Sequence, residues 1–149
     1  NSEKALVFGS ALEMIHTYSL IHDDLPAMDN DDFRRGKESN HKKYGEANAI
    51  LAGDGLLNES YAVCFEACKK GLPYVEASLY LNECAGVYGM IAGQSADLAF
   101  SEKASDCTEE DLLYLYAHKT GALLLAPLVI ASILKGNKYA NYRHFTKKC

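Results

Sequence analysis

Residues 22–37 carry the densest group of side chains in this sequence that are able to do chemistry. Five aspartates lie within ten positions, and three cations follow within the next five: Asp23, Asp24, Asp29, Asp31, Asp32, Arg34, Arg35 and Lys37. Clustered carboxylates bind hard cations such as Mg²⁺, which takes one or two carboxylates together with phosphate oxygens. Arg and Lys are the side chains that hold phosphates. The stretch therefore predicts a site where a metal ion bridges the protein to a phosphate or diphosphate.

Two other interpretations of the acidic stretch are a calcium loop and a solvated turn. A helix–loop–helix calcium site needs oxygen ligands at loop positions 1, 3 and 5. From Asp29 the fifth position is Phe33, and from Asp24 the third position is Pro26, so the calcium pattern fails. A solvated acidic turn stays open as an alternative, and the three cations just downstream argue against it.

The acidic stretch stands at the end of a predicted helix that runs from about Glu3 to Asp24. On this helix His16, either Ser19 or Leu20, and Asp23 repeat at helical spacing and should share one stripe, with His16 about 10 Å from Asp23 at 1.5 Å per residue. Pro26 then removes a backbone donor and ends or kinks the helix.

Asp23 and Asp29 lie six positions apart, so an unbroken helix would direct them to different sides. They meet at one ion only if the backbone bulges near residues 25–27. Residues 25–45 are then predicted to be a loop of about 20 residues, which is long enough to suggest a function.

The rest of the chain predicts long helices over about 46–70, 74–100 and 108–134, the last beginning at a Thr108 cap with acidic residues in its first turn. No stretch alternates long enough for a strand. Three glycines within the helix predicted over 74–100, Gly86, Gly89 and Gly93, predict that another backbone packs closely against it. The fold class is predicted to be all-α, an antiparallel bundle of long helices around a central cavity, in one domain over residues 1–149.

Composition narrows the class of protein. The 149 residues carry a net charge of −5 and no basic stripe, so a nucleic-acid partner is not expected. Five cysteines without a Cys-x-x-Cys pair predict reduced thiols and a cytoplasmic location. The longest uncharged run, 120–134, is 15 residues, shorter than the roughly 20 of a bilayer span, and predicts a buried helix and no membrane span. We expect a piece of a longer chain.

Four ordered motifs resemble the trans-prenyl diphosphate synthases, especially the bacterial farnesyl and the geranylgeranyl diphosphate synthases. The first spans 13–45 and contains His-Asp-Asp-Leu-Pro-Ala-Met-Asp and Arg-Arg-Gly-Lys; the others are Leu-Ala-Gly-Asp at 51–54, Gly-Gln-x-x-Asp at 93–97 and Lys-Thr-Gly at 119–121. The family's N-terminal Gly-Lys-x-x-Arg region and its second Asp-Asp-x-x-Asp motif are not in these 149 residues. The resemblance thus covers the middle of the family's domain.

The resemblance implies an all-α prenyltransferase that condenses isopentenyl diphosphate with an allylic diphosphate, with Mg²⁺ as cofactor, and that pairs as a homodimer. It implies roles for individual residues, which are as follows: Asp23, Asp24 and Asp29 for the metal; Arg34 and Lys119 for the allylic diphosphate; Arg35 and His16 for isopentenyl diphosphate; Lys119 and Thr120 facing the carbocation; and Gln94 and Asp97 lining the same mouth.

Product length is expected to depend on the residues that precede Asp23 on the helix. Tyr18 and Ser19 lie about one turn deeper, where the growing tail would run. A bulky Tyr18 favours farnesyl diphosphate, with geranylgeranyl diphosphate as the alternative because Ser19 leaves room.

Other functions stay open, namely a terpene cyclase, a non-catalytic synthase subunit and an inert helical fragment. For single residues, His16 taken alone is more typical of a core histidine, Thr120 is as able to bond its own helix, and Gln94 and Asp97 could be a surface pair.

Overall fold

The computed structural model describes residues 2–101 and 107–137, and most of these residues are helical. The helices are α1 (Ser2–Asp23), α2 (Asn40–Tyr44), α3 (Glu46–Cys68), α4 (Leu72–Ala85), α5 (Met90–Ser101), α6 (Glu109–Tyr116) and α7 (Ala122–Leu134), with a π-helical segment (Ala117–Gly121) between the last two. A hairpin of two short strands, β1 (Phe33–Arg34) and β2 (Lys37–Glu38), is the only sheet in the described part of the chain. The all-α prediction is confirmed.

The chain divides into two compact units. The first, here called the aspartate unit, is Gly9–Val63. The second, here called the lysine unit, contains the described residues of 2–8 and 64–137. The single domain expected for residues 1–149 stays a prediction.

In the aspartate unit, α1 forms because its apolar residues recur at helical spacing. Ala11, Ile15 and Tyr18, at i, i+4 and i+7, are all buried, with exposed fractions of 0%, 0% and 7%. The helix ends at Asp23, two residues before the Leu25-Pro26 pair, as predicted.

The predicted loop over 25–45 is wrong in part, because it contains the hairpin and α2. Phe33 pairs with Glu38, and Arg34 pairs with Lys37. Between the strands the backbone angles φ are +52° at Arg35 and +78° at Gly36. Two consecutive positive φ values are those of a tight two-residue hairpin turn. The strands are two residues long, so their alternation is too short to be seen in the sequence.

In the lysine unit, α4 packs against α7. Each helix contributes buried side chains, among them Tyr80, Leu81 and Cys84 on α4 and Ile130 and Ile133 on α7. The start of α6 follows the predicted cap: the Thr108 hydroxyl accepts from the Asp111 N–H at 3.2 Å, and the Asp111 carboxylate accepts from the Thr108 N–H at 2.9 Å. This reciprocal pair satisfies donors that the helix start leaves open.

The helix predicted over 74–100 is wrong as a single element, since α4 ends at Ala85 and α5 begins at Met90. Gly86 has an extended backbone with φ −86° and ψ −161°. A Cβ on Gly89 would lie 2.1 Å from the Cys84 carbonyl oxygen, so the turn between the helices requires glycine there.

Helix α7 is buried on one face only, which corrects the prediction of a buried helix. Its opposite face carries Leu124 and Leu128, each 70% exposed. The continuous helical segment Glu109–Leu134 is long and apolar enough to cross a membrane by length and composition, which for a single such segment is weak evidence. The expectation of no membrane span therefore stays a prediction.

The described cysteines, Cys64, Cys68, Cys84 and Cys107, are free, as their spacing predicted. Burial raises the pKa of the Cys84 thiol to about 12 and also raises that of Cys64. These two thiols are therefore protonated at neutral pH and have little nucleophilic character.

Candidate functional site

The chain folds back on itself directly after α1. The Asp29 N–H donates to the Asp23 carbonyl oxygen at 2.9 Å, and the N–H groups of Met28 and Asn30 donate to the Leu25 carbonyl oxygen at 2.8 and 3.1 Å. These bonds bring residue 29 back to the end of the helix. The predicted backbone distortion near residues 25–27, which the approach of Asp23 to Asp29 requires, is confirmed.

Asp24 forms a close ion pair with Arg34. The Arg34 Nε donates to both carboxylate oxygens at 2.9 Å, and Nη2 donates to Oδ1 at 2.5 Å. Asp24 is 2% exposed, and the Arg34 side chain is 32% exposed. The hydrogen bond to Asp24 raises the pKa of the Arg34 guanidinium, and the charges of Asp24, Asp23 and Asp31 add to this.

The three predicted metal ligands do not form one cluster. Over residues 2–101 and 107–137, no group of three or more His, Cys, Asp or Glu side chains is placed to hold a metal ion. Asp23 is half-buried, Asp29 is exposed, and Asp24 faces Arg34. Mg²⁺ is commonly held by one or two carboxylates plus substrate phosphate oxygens, so Asp23 and Asp29 fit a ligand set that the substrate completes. The metal assignment stays a prediction.

His22 contacts α3 from the end of α1; the sequence predicted structural roles for His22 and Asp54 but not this contact. Its Nε2 lies 3.0 Å from the Ile50 carbonyl oxygen and 3.9 Å from an Asp54 oxygen. A Cβ on Gly53 would lie 2.0 Å from Nε2, so the ring occupies the space that this glycine leaves. The signal was the glycine of Leu-Ala-Gly-Asp, a residue that costs a helix interior about 1 kcal/mol against Ala.

Ser19 and Tyr18, which lie on α1 before Asp23, both contact other residues of the same helix. The Ser19 hydroxyl donates to the His16 carbonyl oxygen at 2.8 Å. The Tyr18 ring meets the His22 ring edge to face at 5.7 Å, and burial raises the pKa of Tyr18 to about 12, with a smaller contribution from Tyr61. Tyr18 is therefore a neutral, packed phenol beneath the acidic end of the helix.

In the lysine unit, Lys119 and Asp97 form a close ion pair. Both side chains are 28% exposed. An ammonium in an apolar helix is costly without a counter-charge, and Asp97 supplies one. The interpretation of Asp97 as part of a plain surface pair with Gln94 is therefore wrong for Asp97.

Gly93 lets α5 approach the Lys119 backbone closely. A Cβ on Gly93 would lie 2.1 Å from the Lys119 amide nitrogen and 2.4 Å from its Cα. The prediction that glycine permits backbone packing here is confirmed.

The residues around Lys119 are π-helical, which the sequence reasoning did not foresee. The Ala122 N–H donates to the Ala117 carbonyl oxygen, five residues back. Single π turns within α-helices are frequent at functional sites. His118 is held by its Nδ1, 2.8 Å from the Tyr114 carbonyl oxygen, and by stacking on the Tyr114 ring, whereas Thr120 is exposed.

The predicted site residues divide between the two units. The aspartate unit holds His16, Tyr18, Ser19, Asp23, Asp24, Asp29, Arg34 and Arg35, and the lysine unit holds Gln94, Asp97, Lys119 and Thr120. Arg35 is exposed in the hairpin turn, and His16 is half-buried. Their substrate roles stay predictions.

Sequence comparison decides the family. The Polyprenyl synthetase family profile matches residues 1–149. The chain belongs to this family. It is 46% identical over 134 residues to the farnesyl diphosphate synthase of Micrococcus luteus, covering 90% of this chain and 45% of that protein. It is 48% identical over 151 residues to the geranylgeranyl diphosphate synthase of Cyanophora paradoxa, covering 97% of this chain and 49% of that protein.

Solved structures of polyprenyl synthetase relatives resemble the chain as well. An FPP/GFPP synthase from Zymomonas mobilis superposes with a TM-score of 0.87 at 35% identity, over 98% of this chain and 53% of that one. A geranyltransferase from Legionella pneumophila gives a TM-score of 0.80 at 44% identity, over 91% and 48%. The chain spans about half the length of the relatives it matches.

Proposed function

We propose that the protein containing this chain is a prenyltransferase that joins isopentenyl diphosphate to an allylic diphosphate and releases farnesyl diphosphate. The observation that carries the proposal is the end of α1, where the backbone bond from Asp29 to Asp23 brings two acidic residues together and Asp24 holds a guanidinium nearby. Carboxylates for a metal and a fixed guanidinium are the groups that bind a diphosphate. The names of the relatives agree with this substrate class.

The reaction needs charge stabilisation where the leaving group departs. The allylic C–O bond breaks and the diphosphate leaves with the electron pair. The double bond of isopentenyl diphosphate then attacks the allylic cation, and the new cation loses a proton to the released diphosphate. Fixed cations directed at the departing oxygens lower that barrier. Arg34 and Lys119 are assigned to the allylic diphosphate, and Arg35 and His16 to isopentenyl diphosphate.

Mg²⁺ is the proposed cofactor, held by Asp23 and Asp29. When bound, it neutralises the charge that develops on the leaving diphosphate. Lys119 forms an ion pair with Asp97, and Gln94 lies one turn before Asp97 on α5. The Lys119 backbone and the hydroxyl of Thr120, an exposed residue, are assigned to the allylic carbocation. A homodimer and a cytoplasmic location complete the proposal.

The proposal is tested with the full-length protein. Labelled isopentenyl diphosphate with dimethylallyl or geranyl diphosphate should give farnesyl diphosphate, and EDTA should stop the reaction. A hydrocarbon formed from farnesyl diphosphate alone would indicate a terpene cyclase instead. No product without a coexpressed partner synthase would indicate a non-catalytic subunit.

Geranylgeranyl diphosphate is the alternative product, because relatives of both kinds match equally well. Replacing Tyr18 by Ala in the full-length enzyme should lengthen the product by at least one isoprene unit, since it removes a buried ring one turn beneath Asp23. Chromatography of the dephosphorylated products measures the change. Tyr61→Phe, which keeps an aromatic ring, is the control and should leave the product length unchanged. If Tyr18→Ala gives the same product as wild type, Tyr18 does not limit chain length.

A further inference from the structure

Three of the five guanidinium N–H groups of Arg34 lie outside its contact with Asp24. The contact uses Nε–H and one Nη2–H, and a guanidinium carries five N–H donors in a planar fork. Nε–H contacts both Asp24 oxygens and Nη2–H contacts one of them, so the guanidinium plane is held in one orientation relative to the Asp24 carboxylate. The Arg34 side chain is 32% exposed, whereas the side chain of Asp24 is only 3% exposed.

Both members of the pair are anchored by the backbone. The Asp24 N–H donates to the Leu20 carbonyl oxygen at 3.2 Å, so Asp24 directly follows the last turn of α1 and is bonded to it. Arg34 lies in β1 and pairs with Lys37 across the hairpin, whose base is closed by the Ser39 N–H donating to the Asp32 carbonyl oxygen at 2.9 Å. The pair therefore links two fixed backbone segments.

The surroundings of Asp24 favour a guanidinium partner over a metal ion that keeps its own water shell. Mg²⁺ keeps several waters and near-octahedral geometry, whereas the Asp24 side chain is only 3% exposed and its carboxylate faces a guanidinium. Both Asp24 oxygens already accept from Arg34, Oδ1 twice and Oδ2 once. A carboxylate at a helix C-terminus also faces the negative end of the helix dipole, so it needs a nearby positive charge.

From this geometry we infer that Asp24 is a positioning residue, which orients Arg34 for the diphosphate and does not bind Mg²⁺. The inference rests on the proposed function and assigns different roles to two adjacent acids. Asp23 serves the metal. Asp24 acts through Arg34, whose remaining N–H groups are held in place before the substrate arrives, so that less side-chain entropy is lost on binding.

The test is a double-mutant cycle in the full-length protein, with inorganic diphosphate as the probe and isothermal titration calorimetry as the readout. At saturating Mg²⁺, Asp24→Asn and Arg34→Gln should each weaken diphosphate binding roughly tenfold, as expected for loss of a charge-assisted contact. The double variant should bind about as weakly as Arg34→Gln alone, because Asp24 has nothing left to orient. Additive losses would overturn the inference.

A magnesium titration at fixed diphosphate separates the two acids. Asp23→Asn should raise the Mg²⁺ concentration for half-maximal binding, and Asp24→Asn should leave it unchanged. An equal shift in both variants would make Asp24 a metal ligand and overturn the inference. If wild type binds no diphosphate with Mg²⁺, the proposed function falls as well; if wild type binds and only the cycle fails, the proposed function stands.

A second variant covers the case in which Asp24→Asn does not fold, as judged by circular dichroism. Asp24→Glu keeps the charge and moves the carboxylate by one methylene. It should weaken diphosphate binding several-fold with an unchanged Mg²⁺ midpoint, and a shifted midpoint would overturn the inference.

Discussion

Replacing Gly93 by Ala is expected to lower the free energy of unfolding by about 3 kcal/mol, the upper end of the usual cost of overpacking. The added Cβ would lie 2.1 Å from the Lys119 amide nitrogen and 2.4 Å from its Cα. These are backbone atoms of the π-helical segment, so no side-chain rotation can relieve the contact. Urea unfolding of the full-length protein, followed by circular dichroism, measures the loss.

Gly55 supplies a matched control for Gly93. It also lies within a helix, and a Cβ there would meet nothing within 4 Å. Gly55→Ala should therefore raise the free energy of unfolding by up to about 1 kcal/mol through helix propensity. If the two variants have equal stability, the close approach of α5 to the Lys119 backbone does not exist in solution.

The Gly93 variant should also lose function beyond its loss of stability. Relief of the overlap requires α5 and the π-helical segment to separate, and these elements carry the two partners of the Asp97–Lys119 ion pair. Displacements of about 1 Å can cost roughly 100-fold in rate. Activity measured well below the unfolding temperature separates this effect from unfolding.

Asp23→Asn in the full-length protein should lower kcat by roughly 10²- to 10³-fold, the range seen when one electrostatic stabiliser of a transition state is removed. The amide keeps the size of the side chain and removes the negative charge that would hold the proposed Mg²⁺. Steady-state assays with allylic and isopentenyl diphosphates, repeated over a range of Mg²⁺ concentrations, measure the loss.

Asp32→Asn is the control for Asp23→Asn, since it removes one charge from the same acidic stretch. Asp32 forms an exposed ion pair with Lys42 at 3.1 Å, and such pairs contribute about 0–1 kcal/mol. Its kcat should change less than twofold. Similar kcat values for Asp23→Asn and wild type would remove Asp23 from the reaction.

Much of the helical content could be predicted because its signals are local. Ala11, Ile15 and Tyr18 show the period of α1, and the Thr108–Asp111 cap lies within four residues of sequence. Helices and caps form through hydrogen bonds between residues three or four positions apart, so their residue types and spacing can be recognised in the sequence.

The hairpin after α1 and the break between α4 and α5 were harder to predict, because each depends on the backbone angles of one or two residues. The hairpin rests on positive φ values at Arg35 and Gly36, and the end of α4 on the extended Gly86. A two-residue strand has no period to detect. Glycine within a helix pattern is ambiguous, since it permits both a close approach, as at Gly93, and a break, as at Gly86.

By itself, the sequence determined the all-α class and the family, and it singled out the acids and cations that are proposed to bind a diphosphate, because these depend on residue type, spacing and motif order. Only the tertiary structure decided which charges pair. It joined Asp24 to Arg34 across ten residues and Lys119 to Asp97 across 22, and it placed a π turn at Lys119. The physical reason is that a charge is attracted to whichever opposite charge the folded backbone brings within a few ångströms, and distance along the chain does not record that approach.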